Sequence, residues 1–303
     1  NNNGDFDNDG YTNLEEYLND LGAFKAIGPL EFDGSGRYAD WGNWTRRWEP
    51  SRLDDVYIPT GTAVVDAVGQ RAGLLRVGST AGQTGSLAVT AGWIEVSHDL
   101  QIGQDGVGHV THSGGEVRVL GGGVEIIDGS YSLNSGRLST HLVSIGGDGA
   151  LNLNGGVLNA SAVVGSLVNR GTRISPGNGA GVMHVTGDLT MEAGVLEMEI
   201  AGVHAGEFDR IVVAGALSAG GVLDVRLLGG FTPAAGDSFD LFDFDSAAGT
   251  FTLQLPALGD DLSWDASNLL GNGTLSVVAT PVTNADFNGD GVVDGDDLLM
   301  WKA

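Results

Sequence analysis

Two twelve-residue stretches, one near each end of the chain, place oxygen-bearing groups at alternate positions around a glycine. The first runs Asp5-Phe-Asp-Asn-Asp-Gly-Tyr-Thr-Asn-Leu-Glu-Glu16. Asp5, Asp7 and Asp9 supply side-chain oxygens at positions one, three and five, and Gly10 permits a sharp turn at six. Tyr11 offers its carbonyl at seven, Asn13 stands at nine, and Glu16 can close the shell with two oxygens at twelve. The second stretch has the same frame, with Asp286, Asn288, Asp290, the carbonyl of Val292, Asp294 and Asp297 around Gly291. Asp297 is one methylene shorter than the Glu at the matching position of the first. The chemistry this spacing suits is calcium coordination, because Ca2+ is a hard ion that takes six to eight oxygens. A solvated Asp/Asn/Gly-rich linker is the alternative. The residues on the C-terminal side of each stretch favour calcium: Leu14, Tyr17, Leu18 and Leu21 fall at helical spacing, and Leu298, Leu299 and Trp301 begin a similar run.

Other chemical signals are sparse. His109 and His112, on a strand, face opposite sides, so they are not a metal pair and are expected to be solvated surface histidines. No Gly-x-Ser-x-Gly elbow occurs. The glycine-rich segments 103–108 and 177–181 are followed by no helical pattern and read as turns rather than phosphate cradles. Arg71, Arg76, Arg118, Arg137, Arg170, Arg173, Arg210 and Arg226 show no acidic cluster in a repeated register, as a lyase would need. Trp41, Trp44 and Trp48, with Arg46, Arg47 and Arg52 nearby, are either a sugar-stacking platform or an aromatic cap, and the cap is favoured. Asn43, Asn159 and Asn272 stand in glycosylation sequons, near the frequency chance would give.

The scaffold for these groups is a repeat. Units starting at Gly85, Gly108, Gly129 and Gly149 each read glycine, alternating strand, glycine pair or equivalent, alternating strand. A second half-unit ends in an aliphatic residue at Val77, Ile102, Ile145 and Val164, with Ile127 filling the gap. A period near twenty with period-two alternation predicts one solenoid coil per repeat, stacked about 4.8 Å from the next. A single coil cannot bury its apolar face, so neighbours must stack. A β-sandwich of hairpins is the competing architecture. From Phe231 to Ala279 the strands become heavier in aromatics and suggest a terminal β-cap covering the open edge.

Composition bounds the rest. The chain has 303 residues with 39 acidic against 14 basic, a formal net charge of −25, and Lys25 and Lys302 are its lysines. With no basic stripe, nucleic acid and anionic membranes are not expected partners. The absence of cysteine excludes disulfides and thiolate-ligated zinc. No apolar run reaches the length of a membrane span. Fifty-one glycines without a three-residue period point to strands joined by tight turns. Calcium loops favour an extracellular or cell-surface location, and the opening Asn1-Asn-Asn-Gly4 suggests a mature or trimmed segment of a secreted protein.

Several phrases resemble known families. Ile174-Ser-Pro-Gly-Asn-Gly-Ala-Gly181, Val185-Thr-Gly-Asp-Leu-Thr190, Phe208-Asp-Arg-Ile-Val-Val-Ala-Gly215 and Ala235-Gly-Asp-Ser-Phe-Asp-Leu241 resemble autotransporter-passenger-like β-helical proteins of bacterial surfaces. The loop at Asp286–Asp297 resembles the first half of a type I dockerin, a family that pairs two calcium loop-helix units and docks on a cohesin; the second unit is missing. The loop at Asp5–Glu16 resembles an EF-hand and the Asp-rich loop near the ends of some secreted bacterial pectate lyases, without a lyase's catalytic residues.

The expected architecture is all-β: a right-handed parallel β-solenoid (β-helix) with short calcium-loop and helix elements at both ends. Its expected segments are a calcium loop and helix (1–28), an N-terminal cap (29–60), coils (61–230), a β-cap (231–280), and a dockerin-like loop with a partial helix (281–303). The expected role is non-catalytic and structural, with Ca2+ at both ends and head-to-tail self-association into filaments through the two loop-helix units. The alternative is a carbohydrate-binding or lyase-like module of a larger secreted system, with an extracellular polysaccharide as partner.

Overall fold

The computed structural model describes residues 28–177, 179–259, 261–280, Phe287 and 293–301. Its strands stack as a parallel β-solenoid of about nine turns. Parallel ladders rule out the hairpin sandwich, whose neighbouring strands would run antiparallel. The chain divides into two units, residues 1–156 and 157–303.

In the first unit every full coil has three faces. The first face stacks Leu30–Glu31, Asp55–Ile58, Leu74–Val77 and Asp99–Ile102 in parallel register. The second stacks Gly61–Val65, Thr84–Val89 and the start of Val107–Val119. The third stacks Gln70–Ala72, Trp93–Val96 and the end of Val107–Val119. In later coils one strand, such as Gly123–Ser139, bends through the corners and serves all three faces, with register shifts where it turns.

Alternation decides what goes inside. Val56, Leu75, Leu100, Val124 and Val143 form one buried column, and Ala63, Leu87, Val110, Tyr131 and Leu151 another. Each aliphatic side chain so buried is worth roughly 1.5–3 kcal/mol. The column partner of Val77 and Ile102 is Ile126, not Ile127 as the repeat spacing suggested. Ile127 falls in a register shift between Ile126 and Asp128. Period two means that a one-residue error exchanges inside for outside.

The first strand is covered from one side. Segment 41–48 folds back on it, with Asp33 N donating to Asn43 O (2.7 Å), Thr45 N to Glu31 O (3.0 Å), and an antiparallel bridge between Phe32 and Trp44. Trp44 is 1% exposed and meets Phe32 and Tyr38 edge-on, each at 4.9 Å between ring centroids. Its indole N–H donates to Tyr38 O at 2.9 Å, so the buried polar tip is satisfied.

The second unit continues the same plan. Leu158, Ile174, Leu196, Leu223 and Leu253 stack on one face, and Leu167, Leu189 and Leu217 on another. Parallel stacking runs on through Phe242–Gly249 and Thr252–Gln254, beyond residue 230. An antiparallel sheet follows, with Thr274–Ala279 between Ser238–Asp240 and Leu262–Asp265. Phe239 anchors it against Phe208, Phe231 and Trp264, at 5.7, 6.2 and 6.0 Å between ring centroids. This is the aromatic β-cap that the composition of 231–279 predicts. Among the described residues no helix is long and apolar enough to cross a membrane.

Candidate functional site

Of the twelve residues expected to bind calcium, Asp5, Asp7, Asp9, Tyr11, Asn13, Glu16, Asp286, Asn288, Asp290 and Val292 lie outside the described residues. Asp294 and Asp297, at loop positions nine and twelve, are described. They sit where the helix Gly295–Trp301 begins. Asp294 Oδ1 accepts from Asp296 N at 2.9 Å, and Asp297 Oδ2 accepts from Asp294 N at 2.7 Å. This is a capping box: two side chains reciprocally satisfy orphan amides at a helix start. It brings the carboxylates of positions nine and twelve together at one turn, as a calcium loop requires. Among the described residues no group of three or more His, Cys, Asp or Glu side chains is arranged to hold a metal.

The lateral surface of the second unit carries a charge cluster that one-dimensional reading missed. Arg173 Nη1 bonds Glu197 Oε2 at 2.7 Å and Asp224 Oδ2 at 2.8 Å. Arg226 bonds the same two carboxylates at 2.9 and 3.0 Å. The expectation that no acidic cluster accompanies the arginines is therefore corrected. Glu197 and Asp224 are register partners on adjacent strands, yet far apart in the chain. Two guanidinia and two carboxylates neutralise one another here, so the arrangement ties three successive coils together. Arg173→Met is expected to cost about 1–2 kcal/mol in urea unfolding, with the loss shrinking in about 1 M salt, since the pairs are only partly shielded from water.

The histidines also differ from expectation. His109 and His112 do face opposite sides: His109 Nδ1 lies 3.0 Å from Ser130 Oγ on the outer surface. His112, however, is buried in the column Val65–Val89–His112–Leu133–Leu153, so it is not a surface histidine. Its Nδ1 meets Tyr131 Oη at 2.9 Å and its Nε2 meets Gly115 O at 3.3 Å. Burial lowers its pKa. The neighbouring column's Tyr131 is what makes an imidazole admissible there.

The tryptophan cluster divides. Trp44 is the cap. Trp41 is 54% exposed, and Arg46 lies 5.6 Å over the Trp48 ring. Asn159 is buried, so its sequon is closed off in the fold.

In the second unit the other deeply buried acid is Asp209. Its Oδ1 accepts from Gly181 N and its Oδ2 from Glu199 N, both at 2.7 Å. Burial, and secondarily the charges of Glu199 and Glu197, push its pKa up to about 7 against the lowering effect of those two amides.

No protein-family model, curated protein or solved structure matches this chain.

Proposed function

We propose that the chain is a non-catalytic structural protein of the cell surface or extracellular space, a β-solenoid whose two Asp-rich loops bind Ca2+. The observation that carries this reading is the pairing of Asp294 and Asp297 at the start of the helix Gly295–Trp301. Calcium would be held by Asp286, Asn288, Asp290, the Val292 carbonyl, Asp294 and Asp297, and by the matching set from Asp5 to Glu16. The autotransporter-passenger, dockerin and EF-hand likenesses of the sequence support the same setting. In this reading the two loop-helix units cover one another's apolar helix faces between molecules. A head-to-tail contact of that kind repeats without closing and builds a filament.

Terbium luminescence sensitised by Tyr11 should report filling of the first loop, and titration calorimetry should report two Ca2+ sites. Asp294→Asn with Asp297→Asn should remove the second site. Saturating Ca2+ at about one hundred times Kd adds about 2.7 kcal/mol per site to whatever element the site closes. Electron microscopy should show filaments with Ca2+ and short particles with chelator. Unchanged monomers at saturating Ca2+ would defeat the assembly reading, and empty loops would defeat the whole of it.

A second reading is favoured by Trp41, exposed beside the Trp48–Arg46 pair. It makes the chain a carbohydrate-binding or lyase-like module of a larger secreted system. Release of unsaturated product from polygalacturonate, or retention on an insoluble glycan lost in Trp41→Ala, would decide for it.

A further inference from the structure

Asp209 is 0% exposed, and its carboxyl group closes two loops at once. One loop ends at Gly181, whose amide donates to Oδ1 and whose carbonyl accepts from Arg210 N at 2.9 Å. The other, residues 201–208, leaves the strand Val195–Ile200 and returns to it. An antiparallel bridge between Ile200 and Phe208 and the bond Ala201 N to Glu207 O (2.7 Å) draw its base together. Asp209 completes that base: its N donates to Glu199 O at 2.8 Å while its Oδ2 accepts from Glu199 N. Both oxygens are therefore committed to backbone amides from separate coils.

Among the described residues no cation compensates this group. Arg210, next in the chain, turns to Asp240 (2.9 Å) and Asp243 (3.4 Å). Arg226 is engaged with Glu197 and Asp224. The strand Val195–Ile200 brings two more acids, Glu197 and Glu199, and Glu199 Oε2 is buried with no hydrogen-bond partner. His184, on the strand Val182–Val185, is exposed. In the loop, Glu207 is occupied in accepting from His204 N at 3.0 Å.

We propose that Asp209 is a protonation-gated fastener: its neutral carboxyl holds the loops 177–181 and 201–208 to the coil, and its ionisation beside Glu199 releases them. Two opposing effects decide the direction. The paired amides favour the carboxylate, but complete burial and two neighbouring negative charges favour the acid, and the latter pair prevails. A carboxyl whose pKa is higher in the closed state than in the open one contributes stability below its open-state value. That contribution is lost as pH rises through its closed-state value of about 7. The loops are thus held in mild acid and loosened in mild alkali.

The test is local, because a chain of formal net charge −25 also gains general stability on acidification. Hydrogen exchange, corrected for intrinsic rates, is followed at 177–181 and 199–209 from pH 5 to 8 on the whole chain. The opening constant there should rise by up to about tenfold per pH unit, while the columns around Leu196 and Leu223 change less. Glu199→Gln removes the nearest like charge and should move the midpoint down by about one unit. Asp209→Asn should abolish the pH dependence; if that variant does not fold, the Glu199→Gln shift decides. Exchange at these loops that is flat between pH 5 and 8, or a midpoint that Glu199→Gln leaves in place, overturns the proposal.

Discussion

Gly129→Val should unfold the coils of the first unit in urea far below the wild-type midpoint, at a cost of about 4 kcal/mol or more. The reason is a stack of glycines. Gly61, Gly85, Gly108, Gly129 and Gly149 are register partners, one per coil, at the corner between the first and second faces. A Cβ at Gly85, Gly108, Gly129 or Gly149 would collide with a carbonyl oxygen of the coil below: that of Ile58, Val77, Gly108 or Ile126 respectively. Gly129 adds a φ of +114°, which L side chains rarely adopt. Backbone cannot retreat here without breaking the parallel ladders on either side. Gly82→Ala is the control: its φ is +72°, but a Cβ there meets nothing within 4 Å. That change should cost only about 1 kcal/mol of backbone strain. A Gly129→Val protein as stable as Gly82→Ala would refute the corner argument.

Trp44→Ala is expected to cost about 3–5 kcal/mol, the range for emptying a large buried aromatic site. Phe32 and Tyr38 would lose their edge-on partner, and Tyr38 O would lose the indole donor. In a solenoid each coil is stabilised by its neighbours, so the damage should begin locally. Hydrogen exchange should show the strand Leu30–Glu31 and the coil at Asp55–Val65 opening first, followed by a lower midpoint for the unit. Trp41→Ala, at the exposed position three residues earlier, should change stability by less than about 0.5 kcal/mol. Equal effects from the two substitutions would show that the segment is not a cap.

The two substitutions also bear on what Trp41 is for. A carbohydrate module would lose glycan retention in Trp41→Ala while keeping its midpoint. A purely structural chain would lose neither.

Much of the scaffold is legible in one dimension because a solenoid writes its geometry into the chain period. The units at Gly85, Gly108, Gly129 and Gly149 align residue for residue in the stacked ladders. The aromatic shift after Phe231 marks the antiparallel cap around Phe239. Register was less secure. Spacing alone placed Ile127 in the aliphatic column, whereas the bulge before Asp128 puts Ile126 there. A bulge adds a residue without any compositional mark, and period two turns that residue into a change of face.

Local sequence by itself determined the coil, its corners of glycine, the apolar alternation, and the oxygen spacing of the two terminal loops, because each depends on neighbours within about a dozen residues. Only the tertiary structure decided which distant side chains meet. Arg173 found Glu197 and Asp224, His112 found Tyr131, and Asp209 was sealed between Gly181 and Glu199. Stacking brings residues some twenty or more positions apart to within one strand spacing, and it sets which of them lose water. Burial and partner together determine whether a carboxylate is a solvated ornament, half of an ion pair or a proton-sensitive fastening, and neither is a property of the residue's place in the chain.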